Sequence, residues 1–248
     1  MDQPEAIPAA TVIVMREVAG GPPELLMVER ARAMAFAGGA LVFPGGRIDP
    51  GDRALAALMA GDPDDMAARV AAVRETLEEA GVAVGVDLPG DAILGLRERI
   101  YAGAPMGAEI AAAGGMLRLD ALIPFARWLP HGVPHRVFDT RFYLAQAPAD
   151  AEPVVDGNEN VRVFWSSARA VLAAADAGAA TIIFPTRRNL ERMALFGSFS
   201  DAVADAQAHA IRPITPWIEA REGVDHLCIP DDLGYPVAAQ PLSAVRRA

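Results

Sequence analysis

Phe43-Pro44-Gly45-Gly46-Arg47-Ile48-Asp49-Pro50-Gly51-Asp52 and, 21 residues further on, Arg74-Glu75-Thr76-Leu77-Glu78-Glu79-Ala80-Gly81-Val82 decide the reading of this chain. Glu75, Glu78 and Glu79 stand at i, i+3 and i+4, the spacing that puts three side chains on one helix face. Three adjacent acids repel one another, and a divalent cation would turn that repulsion into attraction. Hard ions such as Mg²⁺ bind carboxylate oxygens and share themselves with substrate phosphates. A glycine turn followed by an acidic helix therefore points to metal-assisted phosphate chemistry. The competing reading is a solvated helix face with Arg74 paired to Glu78 at i, i+4, and a Pro-Gly-Gly that marks an ordinary turn.

Composition sets bounds around this pair of motifs. The chain has 248 residues, 52% of them hydrophobic, enough for one large domain with a sizeable core. All 22 basic residues are arginine, which excludes a lysine nucleophile, a Schiff base and the P-loop lysine. Arginine also grips phosphate by a rigid fork, although a GC-rich genome gives the same bias. The net charge of −10 argues against nucleic acid as a partner. The single cysteine, Cys228, excludes an internal disulfide and a cysteine-rich zinc site. The acidic start Met1-Asp2-Gln3-Pro4-Glu5 lacks the positive opening of an export signal, and no apolar run approaches a membrane span. A cytoplasmic protein without membrane contact is the resulting expectation.

The patterning alternates strands and helices. Strands are expected over 10–18 and 24–30, joined by the Gly20-Gly21-Pro22-Pro23 turn as an antiparallel hairpin. A third runs from Ala40 to Phe43, and others over Leu122–Trp128, Phe138–Ala145, Val161–Trp165 and Thr181–Phe184. Helices are expected near 53–60, from Met66 to Ala80, through much of 91–119, and over 167–177, 186–196 and 200–210. Ala68, Ala72, Val73 and Leu77 should face the core from the main helix, which Gly81 ends. The final 30 or so residues show no clear period and read as extended or partly ordered. His131 and His135 sit among Pro130, Gly132 and Pro134, so their i, i+4 spacing belongs to a loop.

Together these residues resemble the box of the Nudix hydrolases. That box is a glycine, five residues, a glutamate, seven residues, then Arg-Glu-apolar-any-Glu-Glu-any-Gly-apolar. Gly46 opens it here and Arg74 to Val82 closes it. Three positions depart from the pattern: Asp52 replaces the middle glutamate, Thr76 an aliphatic residue, and 21 residues rather than seven separate Asp52 from Arg74. An enlarged box opening Phe-Pro-Gly-Gly resembles the branch of peroxisomal coenzyme A diphosphatases. Phe125-Ala126-Arg127-Trp128 and Phe138-Asp139-Thr140-Arg141-Phe142 extend that likeness over about residues 10–220. The ending Val245-Arg246-Arg247-Ala248 is not the Ser-Lys-Leu peroxisomal signal, and the coenzyme A signature that precedes the box in other such enzymes is not evident.

The resemblance implies an α/β fold, a Nudix α/β/α sandwich with a mixed β-sheet, helical insertions near 53–64 and 91–119, and a C-terminal extension. A Nudix domain would span 1–220 and the extension 221–248. It implies hydrolysis of a nucleoside diphosphate linked to another group, with coenzyme A or acyl-coenzyme A giving 3′,5′-ADP and 4′-phosphopantetheine as the sharpest form. ADP-ribose, NADH or a nucleotide sugar is the alternative substrate, and a Nudix-fold ligand sensor the alternative without turnover. By the same resemblance Gly46, Glu75, Glu78 and Glu79 hold Mg²⁺ or Mn²⁺, and Arg74 orients the glutamates. Glu159, in Asp156-Gly157-Asn158-Glu159-Asn160, is either a later ligand or general base, or an ordinary turn acid. Asp52 reads as a tie between loop and helix. Arg30, Arg127 and Arg141 are candidate substrate-phosphate contacts, with surface charge or salt bridges as the alternative. Trp128 and Phe142 line an acyl channel or fill the core. The resemblance also leaves room for a homodimer.

Overall fold

A computed structural model describes residues 5–34, 37–88, 92–130, 137–149 and 151–245. His131 and His135 lie outside the described residues. The chain builds one eight-stranded mixed sheet. Its long members are β1 (Ile7–Arg16), β2 (Glu24–Arg30), β7 (Ile123–Trp128), β8 (Phe138–Gln146) and β9 (Asn160–Ser167). The short ones are β3 (Leu41–Val42), β4 (Gly45–Arg47) and β10 (Pro213–Ile214). The path runs β10-β7-β8-β1-β2-β3, with β4 also on β1 and β9 also on β2.

Both faces of this sheet are covered, and β1 shows why its sequence is almost continuously apolar. Ala10, Val12 and Val14 enter one core, while Ile13 and Met15 enter the other. The first core lies under α1 (Pro50–Ala56), α2 (Pro63–Ala80), α3 (Ile93–Tyr101) and α4 (Met106–Ala112). The second lies under α5 (Ala168–Asp176), α6 (Phe184–Met193) and α7 (Phe199–Ala208). The result is the expected α/β/α sandwich. Ala68, Ala72, Val73 and Leu77 are fully buried, as their spacing on α2 requires. Trp128 and Phe142 are core residues: both sit in the second core, and Trp128 packs edge-on against Phe184 and Tyr235.

Several expectations need correcting. The β1–β2 hairpin pairs only next to its turn, at Met15 with Leu25 and Arg16 with Glu24. Beyond that point the strands part, and β4 takes the place beside β1, Ala10 opposite Gly46 and Thr11 opposite Gly45. The main partner of β1 is β8, parallel to it over Ile7–Met15. The Pro-Gly-Gly segment is thus a strand rather than only a turn. A Cβ on Gly45 would overlap the Ala10 carbonyl, so glycine alone permits this approach. No strand forms at Thr181–Phe184; Thr181 makes an isolated bridge to Ala40, and Phe184 opens α6. Pro185 lacks the N–H a strand would use and suits a first helical turn. α2 begins at Pro63, three residues before the expected Met66, because Asp62 caps it and Pro63 takes its first position.

The insertion after the box contains α3 and α4, flanked by β5 (Val86–Asp87) before them and β6 (Met116–Leu117) after them, which pair as a small ribbon. The final stretch, read as extended or partly ordered, forms regular structure over its described residues. β11 (Trp217–Arg221), β12 (Val224–Cys228) and β13 (Ala239–Pro241) form a three-stranded antiparallel sheet. Its first turn places Glu222 and Gly223 at φ 51° and 81°, the geometry of a tight hairpin. Tyr235 locks this segment to the body, its hydroxyl donating to Asn189 Oδ1 at 2.9 Å. Among the described residues no helix is long and apolar enough to cross a membrane.

Candidate active site

The site forms where the gap between β1 and β2 meets the last turns of α2. β4 runs beneath that helix end so closely that a Cβ on Gly46 would overlap the Glu75 carboxylate. Gly45 N–H donates to Glu79 Oε2 at 3.0 Å. The absent side chains of two glycines therefore let backbone lie directly against two carboxylates.

Arg74 organises the near side. Its Nε and Nη2 donate to the two Asp52 oxygens at 2.9 and 2.8 Å, a bidentate pair. Nη1 reaches Glu75 Oε1 at 2.9 Å and Glu78 Oε2 at 3.2 Å, and Nη2 also reaches the Arg47 carbonyl at 3.0 Å. Asp52 is buried and holds α1 as well, accepting from Asp49 N–H at 2.8 Å. It ties loop to helix across the long box insertion. Burial depresses the Arg74 pKa, but Asp52, Glu75 and Glu78 outweigh it and hold the guanidinium firmly charged.

The acids themselves are short of compensation. Burial, then repulsion from Glu78 and Asp52 against the pull of Arg74, pushes Glu75 up to about 7. Burial and the Glu75 charge push Glu79 up to about 8, against the Gly45 amide, Arg30 and the Asn160 side chain. Glu78 is raised too, chiefly by burial.

Arg30, at the end of β2, stands on the far side. Its guanidinium lies 3.8 Å from Glu79 Oε1 and 3.9 Å from Glu159 Oε2. Both distances exceed a hydrogen bond, and the buried Nε has no partner among the described residues. Glu159 is exposed and lies on the loop before β9; Ala31 N–H donates to its carbonyl at 2.8 Å. The structure thus gathers Gly46, Glu75, Glu78, Glu79, Arg74, Arg30 and Glu159 into one neighbourhood.

It does not bring Arg127 and Arg141 there. Arg127 makes a bidentate pair with Asp139 at 2.8 and 2.6 Å, and Arg141 reaches Asp65 Oδ1 at 3.4 Å. Asp65 lies in the first turn of α2, ten residues before Glu75 or roughly 15 Å along the axis. Two residues of the site carried no recognisable signal in the sequence. Asn160 is fully buried beside Glu79, its Oδ1 without a partner among the described residues, and Arg97 reaches the α2 end from the insertion. Asn160 follows Glu159 directly, but an asparagine on a polar loop has no pattern to separate it from a turn residue.

The donor set suits a hard cation. It is all oxygen, burial raises the pKa of all three carboxylates, and the Gly46 backbone lies directly against the Glu75 carboxylate. Arg74 takes up the charge of Glu75 and Glu78, and among the described residues no three acidic side chains converge closely enough to enclose an ion. Loading the site would involve Glu75 and Glu78 exchanging part of their contact with Arg74 for the cation.

No protein-family profile matches the chain, and no curated relative does. Solved structures do. A Nudix hydrolase from Alicyclobacillus acidocaldarius is 29% identical, with TM-score 0.69, over 81% of this chain and 96% of that one. The Ap4A hydrolase of C. elegans is 16% identical over 80% and 98%, with TM-score 0.44. A MutT Nudix hydrolase from Burkholderia pseudomallei is 17% identical over 75% and 97%, with TM-score 0.42. The last two overlays are too loose to carry an argument. The sandwich, the box residues on α2 and the Alicyclobacillus likeness over nearly the whole of that protein support a Nudix hydrolase.

Proposed function

We propose that this enzyme hydrolyses the pyrophosphate bond of a nucleoside diphosphate joined to another group, with coenzyme A or an acyl-coenzyme A as the foremost substrate. The observation that carries the reaction class is the glycine strand pressed against the carboxylates of α2. Phosphate anhydrides are slow to hydrolyse because water must approach a crowded negative phosphorus. Mg²⁺ or Mn²⁺, held by Glu75, Glu78, Glu79 and the Gly46 carbonyl, would supply charge neutralisation and a more acidic water. Arg74 keeps Glu75 and Glu78 aligned and charged. Arg30, near two acids but hydrogen-bonded to neither, offers its guanidinium to a phosphoryl oxygen. Glu159, exposed beside Arg30, takes the proton from the attacking water.

The coenzyme A assignment rests on sequence likeness alone: the enlarged box, Phe125–Trp128 and Phe138–Phe142. Arg127 and Arg141 are already satisfied by Asp139 and Asp65, so a 3′-phosphate contact there would have to displace an ion pair. Product analysis by mass spectrometry tests both layers. The protein would be incubated with Mg²⁺ or Mn²⁺ and coenzyme A, acetyl- and long-chain acyl-coenzyme A, ADP-ribose, NADH and UDP-glucose. Preferential release of 3′,5′-ADP supports the full reading. AMP from ADP-ribose or NADH keeps the reaction and discards coenzyme A. No product from any of them rejects the proposal.

A further inference from the structure

A helix ends with a partial negative charge, and cations in its last turn offset it. α2 does the reverse. Its last turns carry Glu75, Glu78 and Glu79, and the last turn has no basic residue of its own. The compensating cation comes from another element. Arg97 of α3 donates to the Glu78 carbonyl through Nε at 3.0 Å and Nη2 at 2.8 Å. Other carbonyls at this end are also capped: Leu77 by Gly81 N–H at 2.9 Å and Ala80 by Val154 N–H at 2.8 Å. One turn along α3, the Tyr101 hydroxyl accepts from Asn158 Nδ2 at 2.8 Å. Asn158 precedes Glu159 on the loop where Asp156 accepts from the amides of Asn158, Glu159 and Asn160 at 3.3, 3.3 and 3.1 Å.

We propose that α3 of the insertion is a positioning element of the active site, with Arg97 setting the Glu78 backbone and Tyr101 setting the Glu159 loop. The two contacts leave one rigid helix and hold opposite walls of the site, α2 and the 156–160 loop, at a fixed separation. Arg97 acts on the acidic cluster from behind, through the main chain. Tyr101 acts on Glu159 through its neighbour. Arg99, on the same helix, pairs with Glu109 of α4 inside the insertion and serves as the control.

The inference rests on the proposed role of the α2 end, so its test includes a readout that needs no substrate. Mn²⁺ alone would be titrated into wild type, Arg97→Gln, Arg97→Lys, Tyr101→Phe and Arg99→Gln by electron paramagnetic resonance, beside kcat, KM and melting temperature. Loss of a residue that orients a ligand from behind weakens metal affinity or activity by about 10- to 100-fold, and Arg97→Gln should do so for Mn²⁺. Arg97→Lys, which can still donate to one carbonyl, should recover most of it. Tyr101→Phe loses one neutral hydrogen bond, so kcat should fall about 2- to 10-fold with KM and Mn²⁺ affinity unchanged. Arg99→Gln should match wild type in every readout. Equal Mn²⁺ affinity in Arg97→Gln and wild type overturns the inference. So does a Tyr101→Phe enzyme with wild-type kcat, or an Arg97→Lys protein no better than Arg97→Gln. A wild type that binds Mn²⁺ but turns over no nucleotide conjugate overturns the substrate reading alone.

Discussion

The two ends of α2 carry acids under opposite conditions. At the N-terminal end Asp62 caps the helix, accepting from Asp65 N–H at 2.8 Å, and Asp64 and Asp65 lie where the helix is positive. Asp65 is matched further, by Arg69 Nε at 2.6 Å and the Tyr143 hydroxyl at 2.8 Å. At the C-terminal end three glutamates stand where the helix is negative, buried enough to be pushed toward neutrality. Natural sequences follow local rules except where function requires otherwise. The N-terminal end therefore reads as framework, the C-terminal end as the reactive part, and each of the following experiments probes that division.

The largest contrast is in turnover. Glu78→Gln keeps the shape of the side chain and removes one charge. The expectation is a loss of at least ~10³-fold in kcat, about 4 kcal/mol of transition-state stabilisation. The metal-free variant should melt no lower than wild type, because the cost of burying the Glu78 charge outweighs its attraction to Arg74. Steady-state kinetics with calorimetry would decide it; wild-type turnover refutes the role of Glu78.

Stability comes next, at the joint between box and helix. Asp52→Ala leaves Arg74 without its bidentate partner in a largely buried setting, a change expected to cost about 3–5 kcal/mol. Urea unfolding reads this directly. A loss below 1 kcal/mol would mean that Glu75 and Glu78 hold Arg74 by themselves.

This joint also shows what the sequence could and could not disclose. The acidic face and the four core positions of α2 follow from spacing, because helix geometry converts i, i+3 and i+4 into direction. Arg30 and Glu159 are 129 residues apart in the chain and meet only because β2 pairs with β9. No local pattern encodes that meeting. The parting of β1 from β2 escaped for the same reason: the turn specifies where a hairpin starts, while the partner further along is chosen by β4 and β8. Arg127 and Arg141 stayed undivided between phosphate contact and salt bridge, because an arginine held for an ion pair looks the same in sequence as one kept for phosphate. The C-terminal sheet was illegible since its strands are five residues or fewer and β11 is exposed on both faces, leaving no alternation to read.

A smaller effect separates the two ends by pH. Glu75 and Glu79 have folded-state values of about 7 and 8, above the ordinary carboxylate value near 4.5. Between pH 4.5 and 8 the folded protein thus binds more protons than the unfolded chain. Stability from these groups is complete at acid pH and is lost as pH rises through that window. Metal-free protein should melt several degrees lower at pH 8 than at pH 5.5. Mg²⁺ should restore the difference at pH 8 and do little at pH 5.5, where protons already occupy the carboxylates. Melting curves that are flat with pH, or a Mg²⁺ effect equal at both values, would contradict the electrostatic account of this end.

The smallest effect belongs to the framework end. Asp62→Ala removes the N-cap and should cost about 1 kcal/mol. The helix is also held there by the Arg69 and Tyr143 contacts to Asp65, so fraying should stop within the first turn. Glu75 lies 13 residues away, and packing of Ala68, Ala72 and Val73 intervenes. Turnover per folded molecule should therefore stay at the wild-type value. A tenfold drop in kcat at full folding would mean that the N-terminal end reaches the carboxylates through α2, and the division between framework and reactive end would have to be redrawn.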